Sequence, residues 1–124
     1  MPKRIAVIDD DVQLLELMET VLGGAGYEVR TTADSLEAPR LVKEWKPDLV
    51  LLDIWMPERG GWEVLELMKL DPALRRIPII LLTAAEEEVK ATEPLVRGWK
   101  VEALFKPFEI PDLLAKIERL IGKP

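Results

Sequence analysis

Four short apolar runs, each closed by a polar group, constrain this chain more than any other feature. Leu49-Val50-Leu51-Leu52 is too short for a typical helix and long enough for a strand buried on both faces, and it ends in Asp53. Ile5-Ala6-Val7-Ile8 ends in Asp9-Asp10-Asp11, and Ile79-Ile80-Leu81-Leu82 ends in Thr83. A run around Ala103-Leu104-Phe105 ends in Lys106-Pro107. Met56-Pro57 and Gly60-Gly61 break the chain soon after Asp53. Ligands of open α/β sheets bind beyond the carboxyl ends of the strands, so the four endings are expected to share one site.

Helical signals alternate with these runs. A first helix is predicted over Val12 to Leu22, with Asp10 or Asp11 as N-cap and Leu14, Leu15, Met18, Val21 and Leu22 on its apolar face. A strand follows near Tyr27 to Thr32. Asp34 or Ser35 can cap a second helix reaching Trp45, in which Pro39 either makes a kink or delays the start. The third helix spans about Gly61 to Leu70 and stops at Asp71-Pro72. A fourth begins near Glu86-Glu87-Glu88, which suits a helix N-terminus, and Pro94 interrupts it, so it is expected to be short, bent or mobile. The last begins near Pro111, a first-turn position that tolerates proline, and runs to Gly122. Five βα units with short right-handed crossovers predict a parallel sheet covered on both faces. A chain of 124 residues without a repeat or low-complexity linker is expected to form one domain, 1–124, able to bury a real core.

Composition narrows the chemistry. The chain has no cysteine and no histidine, which removes disulfides, thiolate chemistry, histidine general bases and histidine or cysteine metal ligands. A net charge of -6 with scattered Lys and Arg argues against direct contact with nucleic acid. No apolar run approaches a membrane span, and Met1-Pro2-Lys3-Arg4 leads into a strand rather than a signal-peptide core. The expected compartment is the cytoplasm.

What remains is carboxylates, hydroxyls, lysine and a hard metal. Asp9, Asp10 and Asp53 brought together repel one another unless a cation intervenes, and Mg2+ is the natural one, being held by one or two carboxylates with waters and phosphate oxygens. Lys106 adds a mobile positive charge and Thr83 a hydroxyl that can donate to a phosphoryl oxygen. A carboxylate nucleophile with these partners suits phosphoryl transfer, where positioning and charge neutralisation do most of the work. Each residue alone has an ordinary reading: Asp11 as a helix cap, Asp9-Asp10 as solvated turn residues, Thr83 as structural, Lys106-Pro107 as a turn. Their ordered occurrence at four strand ends is what favours a site.

These residues closely resemble the receiver domain of two-component response regulators, and the resemblance covers essentially the whole chain. The pattern is Asp9-Asp10 after strand one, Asp53 after strand three, then Met56-Pro57 and Gly61, Thr83-Ala84 after strand four and Lys106-Pro107-Phe108 after strand five. The resemblance implies a flavodoxin-like doubly wound sheet of order 2-1-3-4-5 with five helices. It implies that Asp53 accepts a phosphoryl group from the phosphohistidine of a sensor histidine kinase or histidine phosphotransfer protein. Asp10, Asp53 and the Trp55 carbonyl would bind Mg2+, with Asp9 acting mainly through water. Thr83 and the Ala84 N–H would hold phosphoryl oxygens, Lys106 would pair with the phosphate, and the peptide before Pro107 is often cis in this family. The protein would then catalyse only its own phosphorylation and dephosphorylation.

The sequence departs from the family pattern in two places. The usual switch aromatic, three residues before the lysine, is replaced by Ala103, so coupling to phosphorylation is altered or uses Phe105 or Trp99. Pro94 sits in the fourth helix, part of a frequent output face. Trp55, unusually large beside the acceptor, either shields the acyl phosphate or packs against Trp62. One rival function is a degenerate receiver acting as a phosphorylation-independent interaction module. Another is a Mg2+-dependent phosphohydrolase, for which Asp53-Ile54-Trp55 offers no second aspartate two residues on. The sequence leaves open the cognate kinase, the output partner, a homodimer, and whether this is a stand-alone receiver or an excised domain.

Overall fold

In the structure, a computed structural model that describes residues 2–54, 60–84 and 101–124, the apolar runs form parallel strands whose side chains alternate between two helical layers. In chain order the elements are β1 (Arg4–Ile8), α1 (Val12–Gly24), β2 (Glu28–Thr32), α2 (Ala38–Trp45), β3 (Leu49–Asp53), α3 (Gly61–Leu70), β4 (Ile79–Thr83), β5 (Val101–Phe105) and α4 (Ile110–Ile121). The sheet order is β2-β1-β3-β4-β5 with every pairing parallel, as the flavodoxin-like reading requires. The described residues hold four helices. The additional helix expected near 86–98 lies outside them.

Strand parity sorts the core. Ala6, Ile8, Val50, Leu52, Ile79 and Leu81 face α2 and α3, meeting Val42, Trp45, Leu65 and Met68. Ile5, Val7, Leu49, Leu51, Ile80 and Leu82 face α1 and α4, meeting Leu15, Met18, Leu22, Leu113 and Ile117. Every residue of β3 and β4 is buried, which is why both read as unbroken apolar runs rather than alternating ones. Each fully buried Leu, Ile or Met contributes about 1.5–3 kcal/mol by leaving water, so these two central strands form a stiff platform under their C-terminal residues.

The helix boundaries follow local chemistry. Asp11 caps α1, its Oδ1 accepting from Gln13 N at 3.1 Å and Leu14 N at 3.3 Å. Pro39 delays α2 rather than kinking it: the helix begins at Ala38 and places the proline in its first turn, where a missing N–H costs nothing. The expected cap at Asp34 or Ser35 is corrected by the same fact, since the N-cap position falls at Glu37, which makes no side-chain cap hydrogen bond. Asp34 Oδ1 instead accepts from Leu36 N at 2.9 Å, closing a turn before the helix. In the last turn of α3, Lys69 turns inward and donates to Arg75 O at 2.9 Å and Ile77 O at 3.0 Å, tying down the connection into β4.

Candidate functional site

Strand register brings the four polar endings to one edge of the sheet. Ile8 pairs with Leu52, so Asp9 and Asp53 follow on adjacent strands. Asp53 pairs with Leu82, which sets Thr83 one residue beyond it. Thr83 pairs with Phe105, and Lys106 N then donates to Thr83 O at 2.9 Å. The convergence of Asp9, Asp53, Thr83 and Lys106 is thus a consequence of parallel pairing among strands that end together.

The carboxylates differ sharply in exposure. Asp9 is 0% exposed and Asp53 5%, whereas Asp10 is exposed. Asp9 is held at both oxygens: Oδ1 accepts from Asp11 N at 2.9 Å and Oδ2 from Lys106 Nζ at 2.7 Å. The same ammonium lies 3.6 Å from Asp53 Oδ2. Burial works against the charge on Lys106. The hydrogen bond to Asp9 and the charges of Asp9, Asp53 and Asp11 outweigh it, and its pKa stands above the ordinary lysine value.

Asp9, Asp10 and Asp53 can each offer an oxygen such that all three atoms lie within 4.8 Å of one another. An all-carboxylate set of this size suits a small hard cation such as Mg2+, and the approach of Lys106 to two of the acids marks the same demand for positive charge. Thr83 is fully buried at the end of β4, and Ala84 beyond it is exposed. The Lys106–Pro107 peptide is cis. Trp55, Trp99, Met56-Pro57 and Pro94 lie outside the described residues. Ala103 pairs with Leu81, and Phe105 stands beside Thr83 in the register.

Two contributors carry no local sequence signal. The Asp11 N–H orients Asp9, although the sequence marks Asp11 only as a cap. Gly61 presses against the main chain of Asp53 and Ile54, although the sequence marks it only as part of a break and of the family pattern, with no role attached.

The sequence matches the response regulator receiver domain over residues 5–118. It is 36% identical over 123 residues to the polar-differentiation response regulator DivK of Brucella anthropi, covering 98% of each chain. It is 35% identical over 117 residues to the DNA-binding response regulator MtrA of Mycobacterium tuberculosis, covering 94% of this chain and spanning half the length of that relative. Among solved structures, the chemotaxis protein CheY4 of Vibrio cholerae superposes with a TM-score of 0.86 at 28% identity, covering 97% of this chain and 99% of that one. The receiver domain of the sensor histidine kinase PA1611 from Pseudomonas aeruginosa, solved with a magnesium ion coordinated in its active site cleft, gives 0.85 at 28% identity over 99% and 100%.

Proposed function

Because this chain belongs to the response regulator receiver domain family, we propose that it is a phosphoacceptor switch in which Asp53 receives a phosphoryl group from a phosphohistidine on a partner protein. The observation that carries this reading is the Lys106 ammonium set between buried Asp9 and buried Asp53, at 2.7 and 3.6 Å. An Asp53 oxygen attacks phosphorus, the donor P–N bond breaks as the new O–P bond forms, and the imidazole leaves with the P–N electron pair on its nitrogen, which takes up a proton from water.

The described residues have roles that follow from their places, and the Trp55 carbonyl has one carried over from the family pattern. Lys106 offsets charge on Asp53 before transfer and on the phosphoryl oxygens after it. Thr83 and the Ala84 N–H, at the end of the neighbouring strand, take phosphoryl oxygens. Asp10 and Asp53, with the Trp55 carbonyl, would hold Mg2+, and Asp9 would assist through water. When bound, the ion neutralises charge shared between the carboxylates and the phosphoryl group. Asp9 is held in place for its part in this by Lys106 and the Asp11 N–H.

Phosphorylation gives Asp53 a charge near -2 and three acceptor oxygens. That charge biases an equilibrium between conformations that an output partner or a second copy distinguishes. On this reading 1–124 is a single receiver domain working in the cytoplasm beside a histidine kinase or phosphotransfer protein. Among the described residues no helix is long and apolar enough to cross a membrane.

The test is incubation with acetyl phosphate, with and without Mg2+, followed by intact mass beside an Asp53→Ala control. A Mg2+-dependent gain of one phosphoryl group, absent in the control, is the expected result. No gain in a folded protein would replace this reading with that of an interaction module working without phosphorylation.

A further inference from the structure

The start of α3 rests directly on the main chain that carries Asp53. Gly61 N–H donates to Ile54 O at 2.7 Å. A Cβ at position 61 would lie 2.1 Å from Asp53 O, 2.5 Å from Ile54 Cα and 2.9 Å from Asp53 C. These distances are far inside van der Waals contact, and all three neighbours are main-chain atoms, so no rotamer change relieves them. Gly61 is buried and is not among the glycines with positive φ, Gly26 and Gly122. Its backbone shape therefore admits other residues, and only space demands glycine. Gly60 differs: a Cβ there meets Ile54 O at 3.7 Å, an ordinary contact.

Asp53 pairs with Leu82 of β4, and Leu52 before it pairs with Ile8 of β1. Those bonds leave the height of the strand end undetermined, because sheets yield out of plane more readily than along their hydrogen bonds. The seat of α3 against Asp53 O supplies the missing restraint. We infer that Gly61 is a positioning residue for the phosphoacceptor, acting through the Asp53–Ile54 main chain to set the carboxylate relative to Lys106 and the other two acids. The inference rests on the phosphoacceptor reading of Asp53. A side chain at 61 must lift α3 or push the strand end, and either changes the 3.6 Å separation between Lys106 Nζ and Asp53 Oδ2.

The experiment compares Gly61→Ala with Gly60→Ala, which removes the same backbone freedom without the clash. The readouts are the rate of phosphoryl uptake from acetyl phosphate and the Mg2+ dissociation constant by calorimetry. Expected is a Gly60→Ala protein within about twofold of the parent and a folded Gly61→Ala protein slowed by about 10- to 100-fold, since small misplacements of reacting groups are costly. Its Mg2+ affinity falls as well. A folded Gly61→Ala protein with parental rate and parental Mg2+ affinity would overturn the inference and leave Gly61 a packing residue. If Gly61→Ala does not fold, the parent protein decides by amide shifts during Mg2+ titration: a Gly61 resonance that moves with Asp53 supports positioning, and one that stays still while Asp53 moves overturns it. If the parent binds Mg2+ yet takes up no phosphoryl group, the phosphoacceptor reading fails, and the effect of Gly61→Ala on Mg2+ affinity still judges the seat.

Discussion

Lys106 Nζ lies 2.7 Å from Asp9 Oδ2, although 97 residues separate the two in the chain. The contact joins the end of the first strand to the end of the last across the C-terminal edge of the sheet. Asp9 is fully buried there, and a buried carboxylate without a partner is costly. The lysine is therefore a structural counter-charge as well as the candidate ligand of a phosphoryl group.

Lys106→Met separates those two roles. It leaves Asp9 buried without its cation, and stability should fall by about 1–3 kcal/mol, below the usual cost of breaking a fully buried pair because the lysine side chain retains partial exposure. Urea unfolding measures the loss, and phosphoryl uptake at Asp53 should slow in the folded fraction. An unchanged unfolding midpoint would rule out the structural role.

Alkaline pH gives an independent reading of the same pair. The folded pKa of Lys106 stands above its ordinary value, with burial opposed and outweighed by Asp9, Asp53 and Asp11. The folded protein thus holds this proton more tightly than the unfolded chain. The contribution is complete below about pH 10.4 and is lost as pH rises through the raised folded value. Tyr27, whose pKa is raised by burial and then by Glu118, acts in the same direction above about pH 10. Its hydroxyl donates to Gly122 O at 3.0 Å. Stability should fall steeply above these values, and Lys106→Met and Tyr27→Phe should each flatten that limb in a pH series of thermal melts.

Mg2+ should stabilise the fold. A cation bound by the folded acids and ignored by the unfolded chain adds about 2.7 kcal/mol at one hundred times its dissociation constant. Differential scanning calorimetry should show a concentration-dependent rise in Tm. Asp10→Asn should reduce that rise, and a variant that keeps all of it would exclude Asp10 from the ligand set.

Asp11→Ala should cost about 1 kcal/mol, because it removes the side-chain acceptor for the first turn of α1. The main-chain N–H that Asp11 gives to Asp9 survives the change. Phosphoryl uptake should persist at close to the parental rate. A large loss of uptake with intact stability would move Asp11 from helix cap to site.

Lys69→Ala should destabilise the protein by at least about 2 kcal/mol, since the carbonyls of Arg75 and Ile77 both lose a buried donor. The effect should appear in unfolding experiments. Mg2+ affinity should stay within about twofold of the parent, because the lysine supports the entry to β4 and not its end.

Much of this architecture was readable from pattern. The runs ending at Asp9, Asp53 and Thr83 are dense enough in β-branched and aliphatic residues to be central strands, and α1 and α3 follow from apolar spacing with capping or breaking residues. Pro39 was ambiguous because a proline can begin a helix or distort one, and the choice depends on whether the preceding residues find another turn. Asp34 supplied that turn. The order of the sheet came from family likeness, since periodicity says that strands are buried but not which lie side by side.

The sequence by itself determined which chemical groups stand at the strand ends, because the length of an apolar run and the residue that closes it are local and survive any rearrangement of neighbours. Only the tertiary structure decided that Asp9 is buried and paired while Asp10 faces solvent, and that Lys106 reaches both Asp9 and Asp53. It alone showed that Gly61 has no room for a methyl group. These are relations among atoms distant in the chain, fixed to fractions of an ångström by register and by the packing of helices on the sheet, and no local pattern encodes them.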